Sequence, residues 1–403
     1  MDLAVYIPLG ILGLIRWITW AIRRIPAAFY QPYKSGYSAP ITVVSPVYQE
    51  DPDIYRAAID SWLDNDGVSE IICVVDVTDT VCQEITSEYA ATGRPVRLVI
   101  TDVPGKRDAL RVGWELATTD LVALVDSDTI WANDVARQAA APFADPRIGG
   151  VGTRQNVLNP TTVWERVNDF YLDYRYFDEV AAQTRMGRAV SCLSGRTAVY
   201  RREILLKVSE RFMHEQWMGV QCNSGEDKRL TSLILEDGYD TYLQRTARVW
   251  STFPKRGKIF FRQRIRWARN TWRSDLRAMF RGWVWLRPFL AFTMLDKAVS
   301  SFTLLVSPLY LFFALWHQHW FGAGILVGWW IVSRAAKNLP HLERKPADFF
   351  LMPAVIGLSF AMALVKIFAL LTMRKQLWLT RDVAVIDGQL VRTGADDGGH
   401  PGV

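Results

Sequence analysis

Two stretches carry residues whose types and spacing suit chemistry. In Gly225-Glu226-Asp227-Lys228-Arg229-Leu230-Thr231, Asp227 is a candidate general base and Glu226 a supporting acid. Downstream, Gln263, Arg266 and Trp267 stand at i, i+3 and i+4, so on a helix they share one face. A guanidinium grips phosphate oxygens through its fork of donors, and an indole offers a flat apolar surface. An amide, a guanidinium and an indole together suit a diphosphate and a sugar ring. Two plainer readings stay open. Arginines beside tryptophans also mark a basic helix on a membrane, and an isolated Gly-Glu-Asp also marks a helix N-terminus favoured by its dipole.

Two shorter signals accompany these. Asp126-Ser127-Asp128 closes the apolar run Leu121-Val122-Ala123-Leu124-Val125. In an extended segment, i and i+2 point to one side, so both carboxylates could approach one hard divalent cation. Such a cation would neutralise charge on a departing diphosphate, although many such triplets are surface turns. Pro104-Gly105-Lys106-Arg107 precedes a helix-like run and could meet a phosphate at a helix start, or be a solvated turn.

The elements that must position these residues follow from periodicity. Ile41–Ser45, Ile71–Val75, Val96–Ile100 and Leu121–Val125 are short apolar runs, separated by helix-like segments at Asp53–Leu63 and Arg107–Leu116. That alternation predicts a parallel sheet with crossover helices, an α/β Rossmann-like fold. Ligands of such sheets bind beyond the carboxyl ends of the strands. Tyr48, Glu50, Asp76, Asp126 and Asp128 fall there. Residues 161–184 read as a helix with Val163, Val167, Phe170, Tyr174 and Phe177 on its apolar stripe. Residues 258–283 read as a basic interfacial helix with Trp272, Leu276, Met279 and Trp283 near one side.

The 403 residues suffice for two or three domains, and half of them are hydrophobic. The apolar mass gathers at residues 3–22 and after residue 288, leaving a middle that reads like a soluble α/β protein. Net charge is +6, and ten Lys and Arg lie between Lys255 and Arg281 against one acid, Asp275. Flanked by apolar spans, that run favours a membrane surface or anionic substrates over nucleic acid. Four cysteines form no CxxC pair and no disulfide framework, and the five histidines show no metal spacing. Arg23 and Arg24 follow the first apolar run, which suits a retained anchor with everything downstream cytoplasmic. Arg16, inside that run, could snorkel to the inner interface. Later apolar runs occur at 298–316, 322–333 and 349–372.

Taken together, Asp126-Ser127-Asp128, Gly225-Glu226-Asp227 and Gln263-x-x-Arg266-Trp267 resemble the processive membrane glycosyltransferases of family 2, the cellulose, chitin and hyaluronan synthase group. The resemblance runs from about residue 40 to Arg381. Finer features resemble type 3 capsular polysaccharide synthases: Pro104-Gly105-Lys106-Arg107, Val125–Thr129, Gly149-Gly150-Val151, Thr153-Arg154-Gln155 and Cys192-Leu193-Ser194-Gly195-Arg196-Thr197.

The resemblance implies a GT-A glycosyltransferase domain with amphipathic interface helices and a transmembrane helical region. It implies a processive, inverting transfer from UDP-sugars, glucose and glucuronate first and N-acetylglucosamine as the alternative. The product would be a β-linked polysaccharide extruded through the membrane. A non-processive transferase with a lipid acceptor is the other alternative. By the same resemblance, Asp227 is the base, and Asp126 and Asp128 hold a Mg or Mn ion. Tyr48, Glu50, Asp76, Lys106, Arg107, Asp126, Gln263 and Arg266 contact the nucleotide. Gly195, Arg196 and Trp267 meet the acceptor, with Arg196 suited to a uronate carboxylate. Trp378, Thr380 and Arg381 form a gating motif over the nucleotide. Val77-Thr78 after Asp76, and Leu379 within the gating motif, depart from the family pattern.

The domains expected are an anchor at 1–25, a cytosolic catalytic domain at 38–255 and interface helices at 256–290. A channel region at 291–375 and a gating motif with tail at 376–403 complete them. The partners implied are UDP-sugars, a growing polysaccharide and the lipid bilayer, without nucleic acid. The enzyme would be a multi-pass protein of the cell membrane. One anchor and three later spans place Trp378–Arg381 outside, whereas gating needs them inside. A bend of the last apolar run near Pro353 would resolve that conflict.

Overall fold

The computed structural model describes residues 6–375, with the backbone of 383–386 and 389–392. Trp378, Thr380 and Arg381 lie outside the described residues.

The predicted strands form, in order, β1 (Ile41–Val47), β2 (Val68–Asp76), β3 (Val96–Thr101) and β4 (Leu121–Val125). They pair in parallel, with β1 between β2 and β4. Their crossovers carry α2 (Pro52–Leu63), α3 (Thr80–Ala91) and α4 (Lys106–Leu116). Helix α2 starts where Asp51 accepts from the Asp53 and Ile54 amides and Pro52 supplies a preset φ.

The sheet then grows on the other side of β4. Strands β5 (Thr129–Trp131), β6 (Ile148–Val157), β7 (Thr197–Arg201) and β10 (Asp240–Ser251) complete eight strands in the order β3-β2-β1-β4-β7-β6-β10-β5. Strand β7 runs antiparallel to β4, pairing Thr197 with Val125. The residues leading into β7 therefore sit at the carboxyl end of β4. Strand order reverses between β1 and β4, so the crevice for a ligand opens at their carboxyl ends. Trp62, Trp114, Tyr55, Tyr200 and Phe212 are fully buried in the core around this sheet.

Helices surround it: α1 (Ile7–Ala28), α5 (Val135–Ala140), α6 (Val163–Tyr174), α7 (Val180–Gly187), α8 (Arg202–Met213), α9 (Glu226–Glu236) and α10 (Gly257–Arg281). Between α8 and α9 lies a small hairpin of β8 (Gln216–Trp217) and β9 (Val220–Gln221). The helix expected over 161–184 is interrupted by a π turn at Arg175–Glu179, and Val163 is exposed while Val167 and Phe170 are buried.

Helix α10 spans the expected interfacial segment, but its basic face is not turned outward. Arg264, Arg269, Arg273 and Arg277 are buried. They find protein acceptors: Arg277 pairs with Glu215, Arg264 with the Asn168 amide oxygen, and Arg273 with Asn270 and the Met373 carbonyl. Such bonds replace water, which makes burial of a guanidinium tolerable.

The apolar C-terminal part forms α11 (Pro288–Thr303), α12 (Val306–Trp316), α13 (Trp320–Lys337), the short α14 (Leu339–Leu342) and α15 (Met352–Leu371). Two stretches are long and apolar enough to cross a membrane, Pro288–Trp316 and Pro346–Leu371. Arg16 and Arg23 of α1 both pair with Asp296 of α11. Both ends of α15 are tied to the sheet-bearing part. Before it, Asp348 pairs with Arg166 of α6. After it, the Thr372 hydroxyl and the Met373 carbonyl accept from Arg269 and Arg273 of α10 at 3.1 Å each. The helix runs unbroken from Met352 to Leu371, with Pro353 in its first turn, so the expected bend near Pro353 is not there.

Candidate active site

A cavity of about 1200 Å³ opens at the carboxyl ends of β1 and β4 and continues down between α1, α11, α13 and α15. Tyr48, Glu50, Asp76, Lys106, Asp126, Asp128, Gly195, Arg196, Asp227, Gln263, Arg266 and Trp267 all line it.

Asp126-Ser127-Asp128 forms a turn between β4 and β5, not the extended segment expected. The Thr129 amide closes it on the Asp126 carbonyl at 3.1 Å. Both carboxylates reach the cavity, while Ser127 donates to Glu50 at 2.8 Å. Asp128 accepts from the Thr252 amide (3.2 Å) and hydroxyl (2.6 Å). Burial raises its carboxyl, and the neighbouring Asp126 adds to that against the pull of Arg196.

Lys106 is the hub of the site. Its ammonium pairs with Asp126 and lies 3.1 Å from Glu226. Burial opposes its charge, but Asp126 and Glu226 overcome this and raise its pKa. Glu226 answers in kind. Burial works against ionisation, yet Lys106 and Arg266 hold its carboxyl down to about 2.

Asp227 begins α9 and faces the same space. Burial, then the adjacent Glu226 charge, raise its carboxyl above the ordinary range. Its two oxygens are held from opposite sides, by the Lys228 amide at 2.7 Å and the Cys192 thiol at 3.6 Å. Burial and Asp227 push that thiol up to about 12, so it stays protonated and can donate. Gly195 marks the point of convergence. A Cβ there would lie 3.2 Å from the Lys106 ammonium, 3.7 Å from the Asp227 Cβ and 3.8 Å from an Asp126 oxygen.

Gly225 joins the two principal motifs. Its φ of 86° is in the left-handed region, and a Cβ would strike Asn270 of α10 at 2.7 Å. Only glycine meets both demands, so α9 and α10 dock closely. On α10, Gln263, Arg266 and Trp267 share the cavity-facing side as their spacing predicted. Among the described residues, the Gln263 side-chain oxygen and Arg266 Nε are buried without a hydrogen-bond partner.

Several residues differ from expectation. Arg107 is turned away from the cavity. It pairs with buried Glu215, which also pairs with Arg277 and lies 4.0 Å from Arg229. Glu215 thereby ties α4, α9 and α10 together, a role no motif announced. Arg196 lies 4.0 Å over the Phe253 ring and 5.8 Å from Trp267, and it donates to the Ser251 hydroxyl. Asp76 reaches the cavity, but one oxygen accepts from the Thr78 amide (2.9 Å) and hydroxyl (2.6 Å). Thr78, part of the departure from the family pattern, thus binds that carboxylate.

Sequence reasoning also passed over His341. With Asp169 and Asp173 it forms a buried group whose ligand atoms lie within 4.8 Å of one another. Protein partners engage each of them. His341 bonds Asp173 at 2.6 Å and Asp348 at 2.9 Å, Asp169 takes Lys345 at 2.8 Å, and Arg344 pairs with Asp173. This network latches the α13–α15 connection to α6.

The Asp126–Asp128 pair suits a divalent cation better. It supplies oxygen donors alone, at the cavity wall, and Asp126 already draws the Lys106 ammonium.

The model of the glycosyltransferase-like family 2 matches residues 39–270, more than half of the chain. An N-acetylglucosaminyltransferase of Rhizobium meliloti is 29% identical over 370 residues, covering 88% of this chain and 84% of the relative. A type 2 glycosyltransferase of Pyricularia oryzae is 26% identical over 370 residues, covering 87% and 76%. Among solved structures, the mannosyltransferase PcManGT of Pyrobaculum calidifontis, in complex with GDP-Man and Mn²⁺, is similar with a TM-score of 0.58. At 21% identity over 92% of this chain and 98% of that one, it is a likeness of fold. The GT-A arrangement of sheet and crevice and the family match converge on one conclusion: this chain belongs to glycosyltransferase family 2.

Proposed function

We propose that the protein is a processive, inverting polysaccharide synthase that transfers sugars from UDP-linked donors to a growing chain and passes the chain into its helix bundle. UDP-N-acetylglucosamine is the donor best supported, because several of the relatives carry the name N-acetylglucosaminyltransferase. The observation that carries the reading is the convergence of Lys106, Asp126 and Asp227 on Gly195, with Trp267 and Arg266 across the same cavity.

Asp227 takes the proton of an acceptor hydroxyl as that oxygen bonds the anomeric carbon. The bond from that carbon to the UDP oxygen breaks as the new one forms, so the configuration inverts and UDP leaves. One carboxylate suffices for this single displacement. The raised pKa of Asp227 makes it a stronger base, and the Lys228 amide and Cys192 thiol fix its direction. Lys106 and Arg266 oppose the charge of the departing diphosphate, with Gln263 beside them. Tyr48, Glu50 and Asp76 border the uridine. Trp267 gives the acceptor ring a flat ledge, and the guanidinium of Arg196 stiffens it. Asp126 and Asp128 would hold a Mg or Mn ion, which when bound supplies further positive charge at the diphosphate.

The apolar helices would place the enzyme in the membrane. The tie between Met373 and α10 favours a C-terminal segment on the catalytic side, where the gating motif is needed. The test is purified protein in lipid, given single UDP-sugars and a divalent salt, with UDP release and product length read together. Long product with UDP release supports the reading. UDP release with addition of one sugar only would remove processivity.

A further inference from the structure

A cationic cluster lies outside the active-site cavity. The guanidiniums of Arg154, Arg245 and Arg344 stand 4.7, 4.6 and 4.8 Å from the one ring of Phe177, and Arg24 donates to the Phe177 carbonyl at 3.0 Å. Strand register adds a fifth arginine. β10 loses register with β6 between Gln244 and Arg248, and pairing resumes with Arg248 beside Arg154. The extra residues of such a bulge re-aim side chains. Like charges on neighbouring strands repel, so this pairing weakens the sheet unless something negative lies beside it.

The acids nearby do not balance the excess. Asp173 pairs with Arg154 at 3.6 Å and with Arg344, but it also bonds His341, and Asp169 takes Lys345. Among the described residues, none of Arg24, Arg245 and Arg248 pairs with a carboxylate. Arg245 lies 4.5 Å from the Tyr30 ring and Arg248 5.2 Å from that of Trp250. Among the described residues, Arg154 Nε is buried with no hydrogen-bond partner. Burial, then Arg344, Arg248 and Arg245, lowers the pKa of Arg154 to about 9. A bound anion would cancel that repulsion, and forked guanidiniums suit the oxygens of a phosphate.

The position of the cluster selects the kind of phosphate. Arg24 stands near the end of α1, and Arg344 and Lys345 directly precede the apolar stretch Pro346–Leu371. In a membrane, cations that border apolar segments lie at the level of the headgroups. Along α1, Ile11, Ile18, Ile22 and Ile25 are exposed at steps of seven, four and three residues, which makes one apolar stripe. The stripe ends at exposed Phe29, next to the Tyr30 ring that carries Arg245. A ligand with a phosphate at one end and acyl chains at the other fits both features.

We propose that the arginines around Phe177 bind the phosphate of an anionic phospholipid, whose acyl chains lie along the apolar stripe of α1. The inference goes beyond the synthase reading and takes from it only the placement in a membrane. The bound phosphate joins α1, β6, β10 and the connection between α14 and α15, so the lipid stabilises the fold.

The test uses the full chain in vesicles of phosphatidylcholine, with and without phosphatidylglycerol. Phosphatidylglycerol should raise the melting temperature by several degrees, as a ligand of the folded state does. R245Q/R248Q should lose most of that rise. K255Q/R256Q, which removes equal charge from the exposed residues before α10, should keep it. In case R245Q/R248Q misfolds, the phospholipid that stays with the wild type through purification in detergent gives a second measurement. Phosphatidylglycerol should be retained in preference to phosphatidylcholine. Equal melting in the two lipids, equal loss in the two variants, or retention without preference would overturn the proposal. So would an equal rise in phosphatidylcholine on adding inorganic phosphate or glycerol phosphate, which would assign the site to a free anion. None of these measurements uses a UDP-sugar, so UDP release tests the synthase reading separately.

Discussion

Replacing Lys106 by Met probes the centre of the site. The ammonium bridges Asp126 and Glu226, and both partners are more than two-thirds buried. Removing one member of a buried ion pair costs about 3–5 kcal/mol. Because the cavity admits water, the lower end of that range applies. The cost also depends on pH in a defined direction. Glu226 has a folded pKa of about 2 against an ordinary 4.5, so its pairing adds stability above 4.5 that is lost as pH falls through 2. The wild type should therefore lead K106M fully at neutral pH, and the gap should close between about 4.5 and 2. Activity should fall as well. Loss of one preorganised positive group at a developing oxyanion costs about 10²–10³ in turnover. Lys106 also lowers the pKa of Asp227, so its removal should move the acid limb of kcat/KM to higher pH. Thermal melts across pH and steady-state UDP release measure all of this. An unchanged melting temperature, with kcat within twofold of wild type, would refute the bridge.

Three further outcomes are expected. E215Q should lose about 3–5 kcal/mol of stability and raise the donor KM, because Arg107 and Arg277 lose a buried carboxylate; unchanged melting would show that Glu215 holds nothing together. In the wild type, kcat/KM should rise with pH through a limb above the ordinary carboxylate range, since Asp227 must be ionised to accept a proton; a limb at ordinary carboxylate pH would contradict its environment. A cysteine replacing Lys375 should be labelled from the same side of the membrane as one replacing exposed Glu210; labelling from opposite sides would contradict the contact of Met373 with α10.

What was legible in the sequence was local. Four apolar runs ending in polar residues became β1–β4; burial on both faces leaves a plain signal in β1, β2 and β4, and β3, at the sheet edge, keeps an apolar run although it is partly exposed. Gln263, Arg266 and Trp267 share a face because helical geometry fixes their spacing. The turn at Asp126-Ser127-Asp128 brought both carboxylates to the cavity by a different backbone from the one assumed. What was not legible was long-range. Arg107 adjoins Lys106 in sequence but points to Glu215, more than a hundred residues away, because successive helical residues face different directions. Arginines on α10 read as a solvated or lipid-facing surface, since nothing in their spacing tells that Glu215, Asn168 and the Met373 carbonyl wait opposite. Hydropathy also measured α15 as a span, and it cannot report that the residues before and after it contact α6 and α10.

The central claim is that Asp227 is the base, and D227N tests it most directly. Asparagine keeps the size of the side chain and can still accept from the Lys228 amide, while losing the charge that Glu226 opposes. Turnover should fall by about 10²–10⁴, the usual contribution of a positioned base. UDP affinity, measured by calorimetry on the same sample, should remain. Near-normal UDP release by that variant would contradict the account.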